Sequence, residues 1–148
     1  MCSSDLFSQL QNHVGEDAVV SVRSGAPVSM PGMMDTVLNV GTPLPGPDAS
    51  EAHKDQYQRL VTMFGTIVKG HDASVYKGIE HHDAALDAYV AKEGGGLPSV
   101  EKQVIACALA IRDSWNNDRA VEYRRINDIR EHECPGTAIV IQIGRAHV

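Results

Sequence analysis

The chain runs to 148 residues with a formal net charge of -6, 43% hydrophobic and 22% charged residues, and a sequence pI near 5.6. That is enough for one domain with a modest core, and it lies in the ordinary globular range with no low-complexity tract. The acidic balance excludes a nucleic-acid backbone and an anionic membrane surface as partners, because each demands a basic face; the longest apolar run, VIACALAI at 104–111, falls far short of the ~18 residues of a bilayer span.

At the head, MCSSDL (1–6) lacks the charged start and apolar stretch of a signal peptide. Both it and the closing IGRAHV (143–148) resemble translated sequencing-library adapters, so the two hexapeptides are expected to be read-through and 7–142 an internal piece of a longer protein. AVVSVR (18–23) is a short β-branched run that predicts a buried strand delivering Arg23 to its end. From 24 to 35 glycine and proline punctuate a loop, DTVLNV (35–40) is too short to assign, and TPLPGP (42–47) forms a second loop. Tyr57, Leu60, Val61, Phe64, Ile67 and Val68 recur at spacings of three and four, which predicts a long helix stopped by Gly70.

A second helix is expected over 72–92, with Val75, Ile79, Leu86 and Tyr89 inward, interrupted by Gly78 and ended by the glycines at 94–96. Pro98 and Ser99 open a third, with Ser99 as cap, Glu101 in the first turn and Val104, Cys107, Ala108 and Ile111 as its buried stripe. A fourth covers 118–126, before GTAIVIQ (136–142), which reads as a strand. The fold class is therefore α+β and mainly helical: a strand, a loop, a block of helices and a last strand.

Cys2, Cys107 and Cys134 are three in number and scattered, with no C-x-x-C spacing. They suggest neither a disulfide framework nor a zinc site, and fit a reducing cytoplasm. EHHD (80–83) looks metallophilic, yet adjacent helical positions point in different directions and neither histidine has a ligand partner four residues on; a solvated helix face is expected. HEC (132–134) places cysteine near histidine in a turn with no third orienting group. Met30, Met33 and Met34 suit packing or loop closure better than a soft-metal box, and Trp115 suits a core or hinge position.

The loop itself asks for an anion. Glycines let the backbone approach a ligand and turn successive N–H groups toward it, and an arginine leaving the adjacent strand offers a fork of donors matched to phosphate oxygens. Its spacing matches neither the P-loop nor the dinucleotide fingerprint, and a plain structural loop with a salt-bridged Arg23 stays open on these grounds.

SVRSGAPVSMPGMMDTVLNVG (21–41) closely resembles the nucleotide-binding domain of the pyruvate, phosphate dikinase family. SWNNDRAVEYRRINDI (114–129) resembles a later helix of that family and is followed in the same order by GTAIVIQ. The resemblance spans roughly 19–142 and is weak in the middle, where HKDQYQRLVTMFG follows the family's arginine-rich helix only loosely. It implies an ATP-grasp-type fold with an inserted helical block, ATP as substrate, and a partial nucleotide-binding domain over 7–142. Carried residue by residue, it makes Arg23 a phosphate contact and Gly32, Met33, Met34, Asp35 and Thr36 a mobile phosphate-covering loop. No role follows for Arg119, Arg124 and Arg125, for which a salt-bridged helix face is expected.

The resemblance also implies what this piece lacks. The family's lysine-bearing glycine-rich segment precedes it, and the carboxylates that hold Mg2+ follow it. The phosphate-carrying histidine and the pyruvate site lie in other domains, so no histidine here is assigned that job and no catalytic or metal-binding residue is expected. The parent is expected to be a cytoplasmic homo-oligomer, and the isolated piece to show no turnover. A phosphoenolpyruvate synthase-like dikinase, which lacks the PGMMD element, and a non-catalytic nucleotide-binding fragment are the alternatives.

Overall fold

Strand β1, Val19–Gly25, is the centre of a three-stranded antiparallel sheet in the order β2-β1-β3. Its β-branched alternation buries Val20 and Val22 and leaves Arg23 exposed on the opposite face. The computed structural model describes residues 8, 9, 12, 19–28, 30 and 32–144. Residues 1–6 and 145–148 of the terminal hexapeptides lie outside these, whereas Ile143 and Gly144 continue the last strand.

The stretch too short to assign from sequence is β2, Thr36–Val40. It pairs Val37 with Val22 and Thr36 with Arg23, then shifts register between Val20 and Val22, so that Val40 meets Val20. The extra residue is taken up where Asn39 adopts φ 60. Strand β3, Ala138–Gly144, pairs with β1 without interruption, from Val19 opposite Gly144 to Gly25 opposite Ala138.

The helices cover one face of this sheet. Helix α1, Glu51–Met63, starts at Ser50, whose hydroxyl accepts from His53 N, and buries Tyr57, Leu60 and Val61. The expected helix does not continue regularly to Gly70: it loosens into a π-helical turn, Phe64–Val68, in which Lys69 N donates to Phe64 O. The expected single helix over 72–92 is two pieces, a 3-10 turn at Ala73–Tyr76 and helix α2 at His82–Glu93. Gly78 sits in the break at φ 76, outside helical space altogether.

Helix α3, Val100–Ser114, buries Val104, Cys107 and Ile111, with Ala108 only half-buried. Ser99 holds the expected N-cap position, but its side chain makes no capping hydrogen bond, so the cap assigned from sequence is corrected. Helix α4, Asp118–Ile126, has the expected bounds and is capped by Asn117.

One core joins the sheet's inner face, Val20, Val22, Val37 and Val40, to Leu60, Val61, Phe64, Tyr89, Cys107 and Ile111. Each fully buried aliphatic or aromatic side chain stabilises the fold by about 1.5–3 kcal/mol. Inside the helical block, His71 bridges Tyr76 and Glu93: Nδ1 meets the Tyr76 hydroxyl at 2.8 Å and Nε2 the Glu93 carboxylate at 2.6 Å. Gly65 makes room for this bridge, since a Cβ there would lie 2.0 Å from the Tyr76 hydroxyl oxygen.

Of the tempting motifs, EHHD is not a plain solvated face. His82 is mostly covered, edge-on to Tyr57 at 6.4 Å between ring centres, with Nε2 2.8 Å from Asp83. Glu80 and His81 are exposed and precede the helix. Cys134 is buried with its thiol 3.8 Å from the Gly136 carbonyl, while His132 is exposed and nearest Glu133.

Candidate functional site

Because Val22 points into the core, pleating sends Arg23 to the open face of the sheet, in register with Thr36 on one side and Val140 on the other. Arg23 makes no hydrogen bond or ion pair with any described residue. The salt bridge that would have made the loop purely structural is therefore not formed among the described residues. Leu38 and Val140 are also exposed on the sheet.

The glycine-rich loop returns from β1 to β2 over a hollow of about 510 Å³, with Ser24, Gly25, Ala26 and Pro27 along one side and Met30, Gly32, Met34 and Thr36 along the other. Gly32 is exposed at φ 74, a conformation other residues adopt at a cost, and its turn is closed by Met33 N donating to Met30 O at 3.2 Å. Met30 is buried and Met33 and Met34 are half-buried. Burial gives Met30 the packing role expected for the methionines.

The loop is tied down from the far end of the chain. Asn117 caps α4 by accepting from Ala120 N at 2.7 Å, and with Nδ2 it donates to the Met33 carbonyl at 3.2 Å. Arg119, two residues on, sets its guanidinium 3.5 Å from the Asp35 carboxylate. Both groups are partly exposed, so the ion pair itself is worth only about 0–1 kcal/mol. It links the start of α4 to the residue just before β2.

The other two arginines do different things. Arg124 lays its guanidinium 3.9 Å from the centre of the Trp115 ring and donates to the Trp115 carbonyl at 2.8 Å, which locks the α3–α4 junction. Arg125 grips Glu122 through two hydrogen bonds of 2.8 and 2.6 Å on an exposed face, and this holds the Glu122 carboxyl below its usual range. The expected salt-bridged face thus describes Arg119 and Arg125 but not Arg124.

Of the six residues singled out from sequence, Gly32, Met34 and Thr36 line the hollow, Asp35 is engaged with Arg119, Met33 offers its carbonyl to Asn117, and Arg23 stands beside the hollow on the sheet face. Asn117 was missed as a site residue. An asparagine directly before a helix signals a cap, but nothing local reveals that the same side chain holds Met33. Chemically, the arrangement is an exposed guanidinium without a partner among the described residues beside a glycine-bearing hollow, a combination suited to an anion with several oxygens. Among the described residues no group of three or more His, Cys, Asp or Glu side chains is placed to hold a metal ion. No helix among them is long and apolar enough to cross a membrane.

The sequence matches the family model described as pyruvate phosphate dikinase, AMP/ATP-binding domain, over residues 4–146. It is 38% identical over 154 residues to a chloroplastic pyruvate, phosphate dikinase of Flaveria trinervia, covering 84% of this chain and 16% of that one. It is 36% identical to a chloroplastic pyruvate, phosphate dikinase of Oryza sativa subsp. japonica and 34% identical to one of Arabidopsis thaliana, with the same coverage. The chain spans about 16% of the length of the curated relatives it matches.

Proposed function

The chain belongs to the pyruvate phosphate dikinase AMP/ATP-binding domain family, and on that premise we propose that Arg23 and the Gly32–Thr36 loop form one wall of an ATP phosphate site. Arg23 supplies the charged, forked donor. Gly32, Met33, Met34, Asp35 and Thr36 supply a lid that covers the triphosphate mainly with backbone amides and keeps water out.

The observation that carries this reading is the exposed Arg23 guanidinium, which has no partner among the described residues and is held by β-sheet register next to Thr36 and the loop's hollow. A buried or salt-bridged arginine would argue for structure alone. The ATP-grasp arrangement is part of the same proposal: a second lobe, outside this chain, closes over the exposed sheet face that carries Arg23, Leu38 and Val140.

For the longer protein we propose the dikinase reaction, in which ATP, pyruvate and phosphate become AMP, phosphoenolpyruvate and pyrophosphate through a phosphohistidine in another domain. This chain's share is to bind and orient the nucleotide. Magnesium is part of the same proposal: as the family resemblance implies, the carboxylates that hold it belong to a segment of the longer protein that follows this one.

The test is Arg23→Ala in the full-length protein. With a charge-assisted contact removed, kcat/KM for ATP should fall by at least about tenfold, and Arg23→Lys should recover only part, because it keeps the charge without the fork. Undiminished ATP use by Arg23→Ala overturns the proposal.

A further inference from the structure

At the end of β2 opposite to Thr36, a second hollow of about 430 Å³ opens between the turn after β2, helices α1 and α2, and the start of α3. Leu86, Leu97 and Val100 give it apolar walls, and its volume lies within the range of small-molecule sites. Gln103, 5% exposed, frames it by accepting from Gly41 N at 3.2 Å and donating to the Pro98 carbonyl at 2.8 Å. The two sides of the hollow are thereby held at a set distance.

Gln103 and Thr42 are satisfied within the protein, but one polar side chain at this hollow is not. Tyr57 lines the hollow, is 5% exposed, and makes no hydrogen bond with any described residue. Since no fully buried side-chain nitrogen or oxygen among the described residues lacks a partner, the Tyr57 hydroxyl keeps some access, and the hollow is the space its side chain borders. Burial pushes its phenol above the ordinary value, so it stays a donor at any physiological pH. Helix α3, 15 residues long, begins at the same wall. Its first amides lack intrahelical partners by construction, and the Ser99 hydroxyl caps none of them.

We propose that this hollow binds a small monocarboxylate with an apolar body. The carboxylate accepts from the opening amides of α3 and from Ser99, where the helix dipole also favours a negative charge. The apolar body lies against Leu86, Leu97 and Val100, and Tyr57 donates to an oxygen of the ligand. Glu101, the acidic residue of the first turn, opposes a doubly charged group such as phosphate more strongly than a single carboxylate. The site is separate from the Arg23 hollow and does not rest on the nucleotide reading.

Phenylacetate is a suitable probe, titrated without nucleotide into the isotope-labelled 148-residue chain while amide resonances are followed. Saturable shifts are expected at Gly41, Leu97 and the first turn of α3, with binding about tenfold weaker for neutral phenylacetamide and for phenylacetate on Tyr57→Phe. Leu97→Trp, which fills the hollow, should abolish the shifts and decides the matter if Tyr57→Phe fails to fold. Shifts that do not saturate, equal binding of the amide, or undiminished binding to a folded Tyr57→Phe or to Leu97→Trp would overturn the site.

Discussion

Arg119 and Asp35, 84 positions apart in the chain, face each other at 3.5 Å. With Asn117 and Met33, also 84 apart, they make the start of α4 the anchor of the glycine-rich loop. The two stretches that carry the family resemblance are therefore in direct contact.

The double role of Asn117 can be separated by substitution. Asn117→Ala loses both the cap and the Met33 contact and should lower stability by about 1–2 kcal/mol. Asn117→Asp keeps an acceptor for Ala120 N but has no donor for Met33 O. It should retain most of the stability in a urea titration while amide exchange at Met33 and Met34 accelerates; equal exchange in the two proteins would remove the anchor role.

Gly65 is required by space. A methyl at this position would meet not only the Tyr76 hydroxyl but also the ring Cζ, at 2.7 Å. Gly65→Ala should destabilise by about 1–3 kcal/mol, and adding Tyr76→Phe should recover only part of it, because the ring carbon still clashes. Chemical denaturation of the single and double variants checks this; a neutral Gly65→Ala would contradict the packing.

Alkaline pH should unfold the protein through groups that burial keeps protonated. Burial pushes the Cys107 thiol from its model-compound value of 9.0 up to about 12, and burial, aided by Glu93, pushes the Tyr89 phenol from 10.0 up to about 12. Between roughly pH 9 and 12 the unfolded chain releases these protons and the native chain holds them, so stability is full below the unfolded values and falls as pH rises through that window. Cys107→Ala should flatten the lower part of the fall in a series of thermal melts. Native Cys107 should also resist iodoacetamide at pH 8, since the thiolate is the nucleophile.

Arg124 and Arg125 are adjacent yet unequal. Arg125→Ala removes an exposed ion pair and should change stability by less than about 1 kcal/mol. Arg124→Ala removes both the ring contact and the hydrogen bond at Trp115, and should cost more and shift the emission of the chain's single tryptophan. Arg124→Lys should not restore the spectrum, lacking the planar guanidinium. Indistinguishable melts for Arg124→Ala and Arg125→Ala would refute the difference.

Local pattern carried a large share of the fold. Tyr57, Leu60 and Val61 mark one face of α1 by spacing alone, and α4 begins and ends where its residues predict. The pattern places an interruption at Gly78 correctly but not its extent, since the chain leaves helical space from 77 to 81, and Ser99 holds the cap position without making the capping bond. Strand β2 escaped because five residues show too little alternation to declare a strand without the partner that pairs with them.

By itself, the order of residues determined where most helical segments lie, the central strand and the presence of an arginine beside a glycine-rich loop, because periodicity, caps and turn chemistry act over a few positions. Only the tertiary structure decided that Arg23 has no partner among the described residues, that Asn117 and Arg119 contact the loop, that His71 links Tyr76 to Glu93, and that Tyr57 opens onto a second hollow. Those relations join residues from separate elements. They arise when burying one apolar face of the sheet under the helices brings distant polar groups together, a step that no short window of sequence contains.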